Sequence, residues 1–419
     1  MKEDLLEVIQ QLQYKDKQQA ETLLLSFLHN IYSPDVQSVE LRPLAVSLNS
    51  FNGYLSLKDG SRFFFKTHTE PDTVISEYYN AAQLAAAGYP VIQPVFSSTN
   101  VGQQLLIYEV VDSPSVFDVA WKIENGHDEL FEELQTAQEQ SDDLLFQIYL
   151  KTLKNQDATE ASVSPIHQLF SHRLTKGRMQ RFYGTDSVSS EYREAKLGDW
   201  SGQFKDVLDV TWEINGQVYQ NETLRSIIQR AISILDPYQS GVSIIGHGDA
   251  HNGNVFLDKD DEKVSLLFFD PAFAGRHDPL LDLAKPLFHN VFAMWMYFPE
   301  YVDTSLFLEL ERRHSHWVVN HDYTLPLIRK MFWRSKVEKV LQPTLKLLKE
   351  RQALRQDWRS LLKAALFCCP FLTMNLIDSQ KFTPRIALLG LTMAIEMGAE
   401  SSSKKSVLDS TLDELALAI

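Results

Sequence analysis

Residues 244–258 read IIGHGDAHNGNVFLD, with two histidines, two aspartates and two asparagines set among three glycines. The stretch lies between two short apolar runs, so its polar side chains fall at strand ends or in a loop, where they can converge without a core to satisfy. Asp249 and Asn254 share that loop. Asp270 ends the next apolar run, VSLLFFD. Two carboxylates and an amide oxygen form an all-oxygen set. Hard oxygen donors suit Mg²⁺, which keeps waters and takes the rest of its shell from substrate phosphates. A carboxylate left outside that shell can take a proton from a hydroxyl, and the combination describes phosphoryl transfer. Two other metal readings compete. His247, Asp249 and His251 invite a histidine site, and DKDDEK at 258–263 has the look of a calcium loop. The second fails because Lys263 stands where such a loop needs glycine.

HGDAHNGN followed by DPAFAGRHDPLLDLA resembles the signature pair of the aminoglycoside phosphotransferase and choline kinase-like enzymes, relatives of the protein kinases. The matching positions are His247, Gly248, Asp249, His251, Gly253, Asn254, Asp270, Gly275 and Asp282-Leu283-Ala284. The resemblance implies that Asp249 is the catalytic base, or orients the attacking hydroxyl. It implies that Asn254 and Asp270 hold Mg²⁺ on ATP or GTP, and that His247 and His251 brace the loop. Asp282 would cap the following helix and tie the loop down. It further implies a lysine on a strand of an N-terminal lobe, which Lys66 at the end of SRFFFK supplies, and a helix acid to orient it. Glu77 is the expected partner and Glu70 the second choice. LLIYEVVDS would be the hinge, with backbone groups near Glu109 and Val111 receiving the base. SLNSFNGYL would be the phosphate loop, with Ser50 and Asn52 as its contacts, although it has one glycine where protein kinases have several.

The elements that must hold these residues follow from pattern. Residues 1–30 read as a helical extension with Leu5, Ile9 and Leu12 on one stripe. Asn52-Gly53 and Asp59-Gly60 predict the turns of a three-stranded meander over 44–67, followed by a helix over 72–90 that Gly88 ends. Two further strands follow. From about residue 113 helical patterning dominates, with an uncertain insert at about 155–220, a catalytic segment at 245–284 and helices from 280 to the end. The expected fold is α+β: a two-lobed protein-kinase-like fold, with a small antiparallel-sheet N-lobe (31–112) and a large, mainly helical C-lobe (113–419).

The chain has 419 residues and a net charge of −15, which argues against nucleic-acid or anionic-membrane binding. No apolar run is long enough to span a bilayer, and the N-terminus lacks a signal-peptide core, so the reading is cytoplasmic. Adjacent Cys368 and Cys369 in AALFCCPFL read as reduced, buried thiols. Basic residues gather at 329–359, where helical spacing suggests a solvated face, and at His172, Arg173, Lys176, Arg178 and Arg181, a cluster that reads first as ordinary surface and second as able to meet a transferred or product phosphate. Arg276, His277 and Asp278 are candidates to line the acceptor pocket; Trp295 and Tyr297 behind them read first as core packing and second as a surface for stacking on a sugar or cation. The expected partners are a nucleoside triphosphate and a small hydroxylated molecule: a sugar, an amino alcohol or an aminoglycoside-like compound. A nucleotide-binding pseudokinase or scaffold and a metallophosphoesterase are the alternatives.

Overall fold

The computed structural model describes residues 5–42, 50–68, 80–98, 100, 102–184, 192–259 and 263–419. Glu70 and Glu77 lie outside the described residues, as does the side chain of Ser50. The chain divides into two compact units, Met1–Pro114 with Leu267–Ala274, and Ser115–Leu266 with Gly275–Ile419. The first is built on an antiparallel sheet and the second is mainly helical, the α+β division expected of a kinase-like chain.

In the first unit, strands β1 (Val36–Leu41), β2 (Ser50–Leu57), β3 (Arg62–His68), β4 (Phe96–Ser98) and β5 (Leu105–Glu109) form one sheet in the order β1-β2-β3-β5-β4. Alternate residues of these strands face two amphipathic helices, Leu5–Leu12 and Lys17–Ile31. Leu6, Ile9, Leu24, Phe27 and Leu28 share one core with Phe51, Leu55, Phe65 and Ile107. The N-terminal helices are therefore part of the sheet's own hydrophobic core. Asp59-Gly60 makes the β2–β3 turn, with Gly60 at φ 88°. Asn52-Gly53 does not turn the chain, contrary to expectation: it sits inside β2, with Gly53 opposite both Leu41 and Phe65. The glycine serves close approach, because a Cβ there would lie 2.0 Å from the Glu40 carbonyl oxygen. The following helix is described over 80–87 and ends where expected. Gly88 has φ 112°, and Gly88 and Tyr89 both donate their N–H to the Leu84 carbonyl.

In the second unit, the strand Gly241–Gly246 lies between two antiparallel neighbours, Lys154–Gln156 and Gly275–His277. This small sheet carries the loop from His247 to Asn254 on the end of its central strand. The helix Pro279–His289 runs beneath, with all of its residues buried. The expectation of helices alone beyond 280 is not met. Leu308–Arg313 and His316–His321 form a hairpin, and the second strand pairs in parallel with Thr211–Ile214, completing a four-stranded sheet. Glu309, Glu311 and Arg313 point to solvent at a strand's period of two, and the turn residue His314 takes φ 54° in place of the glycine that would have marked it. The basic run is not a uniformly solvated face either. Arg329 and Lys336, seven residues apart, turn inward onto Glu124 and Asp142. Cys368 and Cys369 are free and buried.

Candidate active site

In the first unit, β3 delivers Lys66 and the segment after Phe268 delivers Asp270. Phe268 docks on the loop after the helix: its N–H donates to the Pro90 carbonyl, and its carbonyl accepts from Ile92. Asp270 then takes φ 53°, a left-handed conformation rare outside glycine but tolerated by aspartate. This turns its carboxylate to within 2.9 Å of Lys66 Nζ. Lys66 is mostly enclosed and Asp270 is 37% exposed, so the pair has one sheltered and one open member. Asn52 stands opposite Lys66 across the β2–β3 ladder. Glu109 closes β5 opposite Phe63, and Val111 follows two residues on.

In the second unit, the loop after Gly246 is held from below by Asp282. Its Oδ1 accepts from Gly248 N–H at 2.6 Å and its Oδ2 from the Tyr149 hydroxyl at 2.5 Å. Gly246 has no room for a side chain, since a Cβ would meet the Asp282 carboxylate at 2.5 Å. Asp282 accepts from the loop at Gly248, but it does not cap the helix. Asp278 is the cap, accepting from Leu280 N–H. A second tie runs from Asn252 N–H to Asn290 Oδ1 at 2.8 Å, and the Asn290 carbonyl in turn accepts from buried Arg329.

His247 is enclosed. His251 Nδ1 accepts from Gly253 N–H, which places the ring proton on Nε2, 4.0 Å from Asp249 Oδ1. The Asn254 amide donates to the Asp249 carbonyl at 3.0 Å, leaving its own oxygen as the open donor. An amide oxygen on this loop and a part-exposed carboxylate at Asp270 are hard donors of the kind Mg²⁺ takes. Among the described residues, no three or more His, Cys, Asp or Glu side chains gather as a metal site.

Asp249 is also met by a group that spacing did not single out. Lys285 Nζ lies 3.4 Å from Asp249 Oδ1, and the lysine side chain is only 4% exposed. Burial alone would push the Asp249 carboxyl up, but Lys285 foremost, then His251, Arg173 and His247, outweigh it and hold the carboxyl below its ordinary value. Burial pulls the Lys285 ammonium down, and Asp249 opposes that. Lys285 also lies 3.0 Å from His289 Nε2. Burial, aided by Lys285, holds His289 neutral. An ammonium has no lone pair, so His289 Nε2 must accept, and Nδ1–H then donates to the Tyr297 hydroxyl oxygen at 2.7 Å. A sequence signal for this relay exists. Asp282, Lys285 and His289 are the three polar residues between Pro279 and His289, and their spacing puts them on one face of an otherwise apolar helix.

Of the acceptor-pocket candidates, Tyr297 is half-buried, with Phe117 against its ring at 5.1 Å between centroids. Phe298 continues this wall, stacked on Trp121 at 3.8 Å beside half-exposed Tyr301. Trp295 is fully buried in the core. Arg276 is spent on the Thr152 carbonyl. His277 is enclosed against Ser164 at 3.1 Å and has no face open to an acceptor in this conformation.

Among solved structures, an amicoumacin kinase in complex with AMP-PNP, Ca²⁺ and its ligand is 14% identical, with a TM-score of 0.48 over 90% of this chain and 93% of that one. A thermostable mutant of an aminoglycoside phosphotransferase is 9% identical, with a TM-score of 0.46 over 89% and 97%. A microcompartment-associated aminopropanol kinase is 13% identical, with a TM-score of 0.44 over 94% and 98%. No protein of curated function matches the sequence. Over residues 177–315, which include the Asp249 loop and Asp270, the chain matches the model of the phosphotransferase enzyme family and resembles that family.

Proposed function

We propose that the protein transfers the terminal phosphoryl group of a nucleoside triphosphate, ATP or GTP, to a hydroxyl of a small molecule. The observation that carries the reading is Asp249. It is a mostly enclosed carboxylate on a loop tied at Gly248, Asn252 and Asn254, held in its ionised form by Lys285. In the proposed step Asp249 accepts the proton of the acceptor hydroxyl. The hydroxyl oxygen bonds to the terminal phosphorus, the bond from that phosphorus to the bridging oxygen breaks, and the nucleoside diphosphate leaves. Lys66 steadies the phosphates, and the backbone near Glu109 and Val111 receives the base. Asn254 and Asp270 would hold Mg²⁺, which when bound neutralises phosphate charge. The half-exposed wall of Tyr297, Phe117, Phe298 and Trp121 suits the body of a small organic acceptor.

The test is acceptor-dependent formation of nucleoside diphosphate with Mg²⁺, comparing wild type with Asp249→Asn. Loss of a positioned base costs about 10²–10⁴-fold in turnover. Equal turnover by the two proteins would sink the assignment.

A further inference from the structure

The second unit holds a pocket of about 440 Å³ that the phosphotransfer reading does not use. Its walls come from the turn at Asn215, the loop after His321, and the helices Leu327–Lys336, Pro384–Gly398 and Val407–Ala418. None of residues 247–254 lines it. The lining is largely apolar and aromatic, with Phe292, Tyr323, Trp333, Met393, Met397 and Leu408. Phe292 and Trp333 meet edge to face at 5.4 Å between centroids, and the Tyr323 hydroxyl donates to the Phe292 carbonyl, so the three rings hold one another in place. The volume is that of a small-molecule site. Two polar groups on the lining lack partners. Asn215 Oδ1 accepts from His321 N–H at 2.8 Å, which turns the amide nitrogen to His321 Nδ1 at 3.4 Å. Nδ1 therefore accepts and the ring proton is on Nε2; burial keeps the ring neutral by pulling it down to about 4. Nε2 is buried and has no hydrogen-bond partner among the described residues. The half-buried Glu396 carboxyl likewise makes no hydrogen bond or ion pair among them, and only its backbone carbonyl is engaged, by Lys363. Burial pushes that carboxyl up to about 7, and Lys363, which opposes the shift, is itself paired with Asp409. Lys330, the other charged residue on the lining, is exposed and keeps its charge in water. A sheltered acceptor and a buried donor left without partners cost free energy that a bound molecule recovers.

We propose that this pocket binds a small organic ammonium ion with an aromatic or apolar body and an oxygen beside the charge. The ammonium donates to the Glu396 carboxylate, the oxygen accepts from His321 Nε2–H, and the body lies against Phe292, Tyr323 and Trp333. Aromatic faces attract a cation as well as an apolar body, so the walls and the acid select the same class. A neutral molecule of the same shape leaves Glu396 without a counter-charge, and a carboxylate sets like charge against it. The site is independent of the role of Asp249 and stands or falls without it.

The experiment uses the full chain at about pH 8, where the Glu396 carboxyl is ionised. Three probes of one shape, phenylethanolamine, phenylethanediol and mandelate, are titrated by ligand-observed NMR. Phenylethanolamine is expected to bind wild type about 10–10²-fold more tightly than the neutral or the anionic probe, the scale of a hydrogen bond to a charged group. In Glu396→Gln that preference collapses. No preference for the cation in wild type, or one that survives Glu396→Gln, overturns the proposal. Phenethylamine, which lacks the hydroxyl, should bind wild type about 5-fold more weakly than phenylethanolamine, and the two should bind His321→Leu alike. Equal affinity of the two amines for wild type overturns the part given to His321. Val407 is 55% exposed on the pocket lining, so Val407→Trp narrows the pocket without disturbing the core and should abolish binding. Undiminished binding to Val407→Trp puts the probe elsewhere and overturns the site. Asp249→Asn should bind phenylethanolamine as wild type does; a loss there assigns the cation to the Asp249 loop and overturns the site as well. Should Glu396→Gln fail to fold, Val407→Trp and the probe series on wild type still decide.

Discussion

Asp282 gives the sharpest test of how the loop that carries the proposed base Asp249 is aimed. Its two oxygens each accept one buried donor, Gly248 N–H at 2.6 Å and Tyr149 O–H at 2.5 Å, and the residue is 4% exposed. Asp282→Ala removes both bonds and strands both donors. A hydrogen bond to a charged group is worth about 1.5–3 kcal/mol, so the sum is about 3–6 kcal/mol before relaxation. Water entering the new space recovers part of it, leaving a loss of about 3 kcal/mol. For a unit of this size that lowers the melting temperature by roughly 5–10 °C. The kinetic effect is separate. Gly248 immediately precedes Asp249, and a displacement of about 1 Å at a reacting group can cost on the order of 10²-fold. Turnover by Asp282→Ala, measured as acceptor-dependent ADP release below its melting temperature, should fall by about that factor while the KM for nucleotide is unchanged. Asp282→Asn offers an oxygen to Gly248 and an amide to the Tyr149 oxygen, so it should recover most of both losses. If Asp282→Ala melts lower yet turns over at the wild-type rate, the loop does not depend on Asp282 for its aim and the reasoning fails.

Three further outcomes follow from the same geometry. Lys285→Met removes the largest opposing cation from Asp249, so its carboxyl rises under the burial that remains; because the base must be ionised, the acid limb of the kcat–pH profile should move to higher pH, and an unmoved limb would refute the role. Lys66→Met should raise the KM for nucleotide by about 30-fold or more, as loss of a buried charged contact does, with the melting temperature nearly unchanged; an unaltered nucleotide KM removes Lys66 from the phosphate site. Gly53→Ala forces a Cβ to within 2.0 Å of the Glu40 carbonyl and should destabilise the first unit by at least about 1–3 kcal/mol, read as an early melting transition in calorimetry; a wild-type trace would mean that β1 and β2 separate at no cost.

What was legible in the sequence is what rests on local pattern. The glycine-spaced polar loop around Asp249 and the lone lysine after FFF are local signals, and so are Asp59-Gly60 and the Gly88 stop. Alternation was equally local at 308–321, but acidic and basic residues on the outward positions disguised it, and a turn built on His314 lacked the glycine that would have flagged it. Gly53 misled for the converse reason: Asn-Gly favours a tight turn, yet here the absent Cβ lets β1 approach β2. Lys66 and Asp270 lie 204 residues apart, and only the motif as a whole links them.

The contacts that tune Asp249 were the hardest to see, and the reason is physical. A single lysine in a helix normally extends its stem over apolar surface and leaves its charge in water, so Lys285 in DLAKPLFHN carries no alarm by itself. Its burial becomes readable only when the rest of the helix is seen to be apolar on every side, because then no face remains from which the lysine can reach solvent. A helix so enclosed must satisfy each polar residue it carries, and here the three stand on one face and each finds a partner: Asp282 holds the loop, Lys285 meets the base and His289 accepts from Lys285. The polar stripe is therefore the part of the helix that the sequence cannot explain by packing, and it lies beneath the residue proposed to carry the chemistry.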